Sequence, residues 1–195
     1  MAGVNPRQRL LNAAIDHIAE RGVSDLSLRE LAAAIGSSHR MLNHHFGGRE
    51  GLLVAVVHEV EARQRALLDD VMPDPQASPG DAMRAWWRHI SDPSLWPNER
   101  LFFELYGQAL QGRPGTVALL DGIVDSWLEP AATLLTQLGL EDGEAAARLG
   151  IAVTRGLLLD LIATRDRARV DAAMEVHIAA MEALLSRQSR PADAR

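Results

Sequence analysis

Between Ser27 and Phe46 two short amphipathic segments meet at Gly36, and no other stretch restricts the fold of this chain as tightly. Ser27-Leu28-Arg29-Glu30 has the form of a capping box, with a serine to cap a helix and a glutamate three residues on to return the hydrogen bond. The helix it opens carries Leu28, Leu31, Ala32 and Ile35 on one side and ends at Gly36. Ser37 or Ser38 can then cap a second short helix, with Met41, Leu42, His45 and Phe46 as its apolar set and Gly47-Gly48 as its end. Helices of about two turns are marginal alone. They need other helices behind them, and the pattern is that of a helix-turn-helix.

Apolar residues recur at three- and four-residue intervals almost throughout, and no run alternates as a strand would. Leu11, Ala14, Ile15 and Ile18 share one face of a helix expected from Arg7 to Arg21 and stopped by Gly22. Leu52, Leu53, Val56, Val57 and Val60 mark a long helix from Arg49 to about Val71. Three prolines between Met72 and Gly80 predict a loop. Further helices are expected over 81–91, 98–111, 116–138 with a kink at Pro130, 142–165 and 168–186, before a polar tail. The fold class is therefore all-α. Three short helices form a helix-turn-helix domain, residues 1–47. Six longer ones form a second helical domain, residues 48–195.

Charge separates the two parts. All 20 basic residues are arginine, and residues 1–50 hold six of them against five acids. The remainder holds fourteen against twenty-one, which makes the net charge −6. Only the first part approaches DNA without a net electrostatic penalty. There is no cysteine, which excludes a disulfide scaffold, a zinc-thiolate site and a thiol nucleophile. No stretch approaches the roughly 18 apolar residues that span a bilayer, and the start of the chain lacks the apolar run of a secretory signal. A cytoplasmic protein without membrane contact is expected.

In the helix-turn-helix, Ala32, Ile35, Leu42 and Phe46 are placed to hold the two helices at a fixed angle. That leaves Ser38, His39, Arg40, Asn43 and His44 outward, each able to bond a phosphate or a base edge. Arg40 suits guanine. His45 reads better as a packed or capping residue. His39 and His44 stand open between contact and solvated surface, and Arg29 between a backbone anchor and a surface ion pair of little worth.

Arg9-Leu10-Leu11-Asn12-Ala13-Ala14, Glu20-Arg21-Gly22, Leu26 to Ala32, Gly36-Ser37-Ser38, Leu42, His45-Phe46 and Glu50-Gly51-Leu52 together resemble the N-terminal signature of the tetracycline-repressor (TetR) family, in order and spacing. The resemblance covers roughly the first 55 residues. It implies a homodimer on a near-palindromic double-stranded operator, with Ser38, Arg40 and Asn43 on the recognition helix. Arg29 and Arg49 would anchor the DNA backbone. The sequence departs from the family at Ser37, where a small apolar residue is usual, at Asn43, often tyrosine, and at Arg49, usually lysine. Asn43 puts the usual aromatic contact in doubt, and His44 is placed to take over part of it.

Aromatic residues concentrate beyond this signature. All but Phe46 lie between Trp86 and Trp127. Ordinary core packing accounts for many of them, yet ligand sites in helical bundles form among such residues. Trp86, His89, Phe103, Tyr106, Trp127 and Arg155 are the candidates for holding a small apolar or aromatic effector. Arg155 lies in an apolar run, so its charge needs a partner: a ligand carboxylate, Asp160 or Glu104. Val153, Leu157, Leu161, Met174, Ile178 and Met181 line the last two helices, where the resemblance implies a dimer interface and simple closure of the chain's own core is the alternative.

Catalysis is not expected. His44 and His45 point apart on a helix, and His58 with Glu61 is one pair without a third ligand. No nucleophile motif or glycine-rich phosphate loop is present. Neither cofactor nor metal is expected. The reading is a DNA-binding regulator, a repressor released by its effector. The alternatives are an activator, a ligand-independent regulator of the same fold, or a helical interaction protein that binds no DNA.

Overall fold

A computed structural model describes residues 5–21, 27–71 and 78–188. The break expected at Gly22, loop residues 72–77 and the tail from 189 lie outside the described residues. Among the described residues there are nine α-helices and no strand. They are α1 (Pro6–Arg21), α2 (Leu28–Ala34), α3 (His39–Phe46), α4 (Arg49–Val71), α5 (Pro79–Ile90), α6 (Trp96–Leu110), α7 (Asp125–Gln137), α8 (Gly143–Thr164) and α9 (Arg167–Gln188). The all-α expectation stands.

Two boundaries depart from it. The segment 116–138 is not one helix. Val117–Leu120 forms a 3-10 turn that packs on α6, with Leu119 fully buried, and α7 starts only at Asp125. Gly122, left-handed at φ +70°, turns the chain between them, a conformation a helix cannot contain. Pro130 stays inside α7, where it removes one backbone hydrogen bond. The second departure is at α5, which begins two residues before its expected start. Ser78 caps it by accepting from Asp81 N at 3.1 Å, and Pro79 takes the first turn, where a missing N–H costs nothing.

The chain divides into two compact units: residues 1–66 with 92–121, and residues 67–91 with 122–195. These do not follow the division expected at residue 47. The reason is visible in the core of the first unit. Leu11, Ala14, Ile15 and Ile18 of α1, and Leu28, Leu31 and Ala32 of α2, are buried. So are Leu42 of α3 and Leu52, Leu53, Val56 and Val57 of α4. Three short helices do not bury enough surface alone, and α4 and α6 complete their unit, with α6 packed on α1.

In the second unit α5 and α8 both pack on α9, and α7 packs on α8. Trp87 Nε1 donates to Asp171 Oδ1 at 2.8 Å. Arg84 bonds both oxygens of Glu175, at 2.9 and 3.1 Å, and this carboxylate, with Glu182 and Asp81 adding to it, holds its guanidinium above its ordinary range. Arg167 donates to the Ser91 hydroxyl and carbonyl, which secures the C-terminal end of α5.

Candidate nucleic-acid interface

The capping box predicted at Ser27 is formed. Ser27 Oγ accepts from Glu30 N at 3.2 Å, and Ser27 N donates to Glu30 Oε2 at 2.8 Å. Hydrogen bonds from the Ser27 side chain and backbone hold the Glu30 carboxyl below its ordinary value. This fixes where α2 starts. At its other end Ser37 N donates to Ala32 O at 2.8 Å, and Gly36 adopts φ +66°. An L side chain there would carry backbone strain, so the tight turn between α2 and α3 requires glycine.

Ser38, not Ser37, caps α3: its Oγ accepts from Met41 N at 3.2 Å. The cap sets the direction in which α3 leaves the turn. Leu42 is fully buried beneath it, while His45 and Phe46 are half-buried. His39, Arg40, Asn43 and His44 are all exposed. Their spacing puts them on one outward face, since residues three and four apart are neighbours on a helix. No acidic residue occurs in α3. The face offers donors, with His39 and Arg40 in the first turn, at the positive end of the helix dipole, and Asn43 and His44 in the last. Chemically it suits phosphates and the acceptor edges of bases.

The remaining expected contacts flank this face in the sequence. Arg29 is exposed on α2, and Arg49 is half-buried at the first position of α4. His45 has a buried Nε2 without a hydrogen-bond partner and packs at 5.0 Å from the His44 ring, which agrees with its reading as a packed residue. Two residues were not anticipated. Met41, counted as inward, is 41% exposed and adds an apolar patch to the outward face. Arg7 places its guanidinium 5.0 Å from the Phe46 ring centroid, which ties α1 to the last residue of α3. Such a pair contributes about 0.5–1 kcal/mol at an exposed site. Nothing in the spacing of Arg7 signals it, because the contact exists only once the helices are packed.

Gly51 has a role the motif alone did not explain. A Cβ there would sit 2.0 Å from the carbonyl oxygen of Phe46. The first turn of α4 can therefore lie directly against the end of α3.

The six residues expected at an effector site fall into two groups. Trp86 lies 5.7 Å from Trp127 and 5.7 Å from His89, whose buried Nε2 has no hydrogen-bond partner. Arg155, in the same unit, donates through Nη2 to the Ile123 carbonyl at 2.8 Å, a backbone partner the sequence did not suggest. Phe103 and Tyr106 belong to the other unit. Both pack on Phe102, at 5.2 Å and 5.4 Å, with Tyr106 stacked.

Most of the residues expected at a dimer interface are buried in a single copy of the chain. Leu161, Met174, Ile178 and Met181 are buried within their own unit, and Val153 and Leu157 are half-buried. Met181, for example, packs with Leu140, Leu185 and Met83. The exposed large apolar residues of α8 and α9 include Leu149, Leu159, Val176 and Leu184, with Val176 72% exposed. Helical periodicity identified two apolar stripes but not which of them the monomer buries.

Residues 10–56 match the family of bacterial regulatory proteins described as the tetR family. The HTH-type transcriptional regulator BetI 2 of Chromohalobacter salexigens is 28% identical over 185 residues, covering 73% of this chain and 85% of that protein. The HTH-type transcriptional repressor AcnR of Corynebacterium efficiens is 40% identical over 60 residues, or 31% of this chain and 32% of that protein. Among solved structures, a transcriptional regulator from Rhodococcus sp. Rha1 superposes with TM-score 0.69 at 21% identity, over 98% of this chain and all of that one. A TetR-family regulator from Pectobacterium atrosepticum gives TM-score 0.65 at 24% identity, over 95% of each chain.

Proposed function

We propose that this chain, whose residues 10–56 match the tetR family of bacterial regulatory proteins, acts as a member of that family: a homodimeric repressor that reads a near-palindromic operator. The observation that carries the proposal is the outward face of α3. Arg40 and Asn43 read base edges in the major groove, His39, His44 and the Ser38 hydroxyl bond phosphates or flanking bases, and Met41 offers an apolar contact to a thymine methyl. Arg29 and Arg49 anchor the backbone on either side. The functional division falls near residue 47, where the recognition helix ends, although α4 supplies its core. The protein works in the cytoplasm, where its operator is.

A second copy packs on the exposed faces of α8 and α9, with Leu149, Leu159, Val176 and Leu184 at the centre and Val153 and Leu157 beside them. An isologous dimer of this kind presents two recognition helices about one duplex turn, roughly 34 Å, apart. The effector is a small apolar or aromatic molecule held by the Trp86–His89–Trp127 group. An effector that binds the released form better than the operator-bound form shifts the population and frees the DNA.

Selection of duplexes from a random library with the purified protein tests the operator reading. A palindromic consensus supports a dimeric repressor or activator, and reporter expression from that consensus separates the two. A folded dimer that enriches no sequence overturns the proposal.

A further inference from the structure

We infer that Arg113, in the turn that follows α6, is a further DNA-backbone anchor, which takes a phosphate next to the one assigned to Arg49. The inference rests on the operator reading above and adds to it a contact far along the chain from the helix-turn-helix. Arg113 is exposed, and it is the one charged residue between Glu104 and Asp121.

The backbone of Arg113 is held on both sides. Its N–H donates to Gln108 O at 3.1 Å and closes the end of α6. Its carbonyl accepts from Thr116 N at 3.2 Å and from Thr116 Oγ1 at 2.9 Å. Pro114 and Gly115 are the two central residues of this turn, and Gly115 has φ +87°, the arrangement of a type II turn. Thr116 and Leu119 are fully buried behind it. A turn fixed in this way presents its arginine with little backbone freedom left to lose on binding.

The turn lies on the first turn of α4. A Cβ added to Gly115 would sit 2.9 Å from Glu50 Cβ, a closeness that bare backbone permits. Glu50 follows Arg49, and at Gly51 the same turn of α4 meets the Phe46 carbonyl at the end of α3. Arg113 stands two residues before Gly115, at most about 7 Å along the chain. All of these residues belong to the first unit. The guanidinium therefore stands beside the proposed backbone anchors. Glu50 is the carboxylate that could claim it, yet among the described residues no ion pair joins the two. A phosphate offers the guanidinium fork two oxygens at once.

The test measures affinity for the selected operator against salt concentration, by fluorescence anisotropy with the full-length protein. Each phosphate contact contributes about 0.9 to the slope of log K on log salt. Arg113→Ala should make the slope shallower by about 1.8 for a dimer, one contact from each copy. It should weaken binding to the operator and to a scrambled duplex by the same factor, because a phosphate carries no sequence. Arg113→Lys should keep most of the slope. Arg100→Ala removes the same charge from the exposed side of α6, about 15 Å from its C-terminal end, and should leave the slope unchanged. A wild-type slope in Arg113→Ala, or an equal loss in Arg100→Ala, would overturn the inference and leave the operator reading standing. A folded wild-type protein that enriches no duplex overturns the operator reading, and this contact falls with it.

Discussion

Arg40 projects from α3 into solvent, and its neighbours Leu42 and Ser38 are engaged in the core and the cap. Replacing it by alanine therefore removes a contact without removing a support. A bidentate arginine–guanine pair is worth about 1–3 kcal/mol of discrimination. Arg40→Ala should lower the preference for the selected operator over a scrambled duplex by about that amount, read by fluorescence anisotropy, with an unchanged Tm. Full retention of specificity would remove Arg40 from base readout. Two glycines make a contrasting pair. Gly36→Ala meets no atom within 4 Å, so its cost is the strained φ alone, about 1–2 kcal/mol. Gly51→Ala drives a methyl into the Phe46 carbonyl and must move α3 against α4. Gly51→Ala should thus reduce operator affinity as well as stability, whereas Gly36→Ala should act chiefly on the urea midpoint. A Gly51→Ala protein with unchanged DNA affinity would show that the recognition helix tolerates the shift.

At the scale of the element, α2 is seven residues long and depends on its ends. The carboxylate form of Glu30 is favoured by its hydrogen bonds to Ser27, so its pKa is depressed in the folded chain. A depressed carboxyl contributes stability above its ordinary value of 4.5, and that contribution is lost as pH falls through the lowered value. Urea midpoints of the wild type and Glu30→Gln should differ at pH 7 and converge towards pH 3. A constant difference across that range would place the effect elsewhere than in the charge of the cap.

For the whole molecule, the choice of apolar face decides assembly. Val176 is 72% exposed and Ile178, two residues on, is fully buried. Val176→Glu should leave the far-UV circular dichroism intact and convert dimer to monomer in sedimentation velocity, because it sets a carboxylate from each copy into an apolar contact. Ile178→Glu should instead abolish folding, since the charge would be buried in the chain's own core. A Val176→Glu protein that stays dimeric would move the interface off this face. Loss of the dimer should also steepen the fall in operator affinity, since two half-sites are then no longer held together.

Local order was legible from the residues because it rests on local causes. The Ser27–Glu30 box, the turn at Gly36, the caps and the three- and four-residue spacing of apolar side chains specify where helices begin, bend and end. They also left Arg40, Asn43, His39 and His44 on the open side of α3, because the apolar positions around them had only one inward direction. What remained undecided depends on which helix lies beside which. The breaking of 116–138 follows from Leu119 packing on α6. The Trp86–Trp127 contact, the backbone partner of Arg155, the cation–π contact of Arg7 and the burial of Met174, Ile178 and Met181 all depend on residues distant in sequence. Periodicity tells that a face is apolar. Only packing, which sums burial over helices distant in the chain, decides whether that face closes the monomer's core or is left for a second copy.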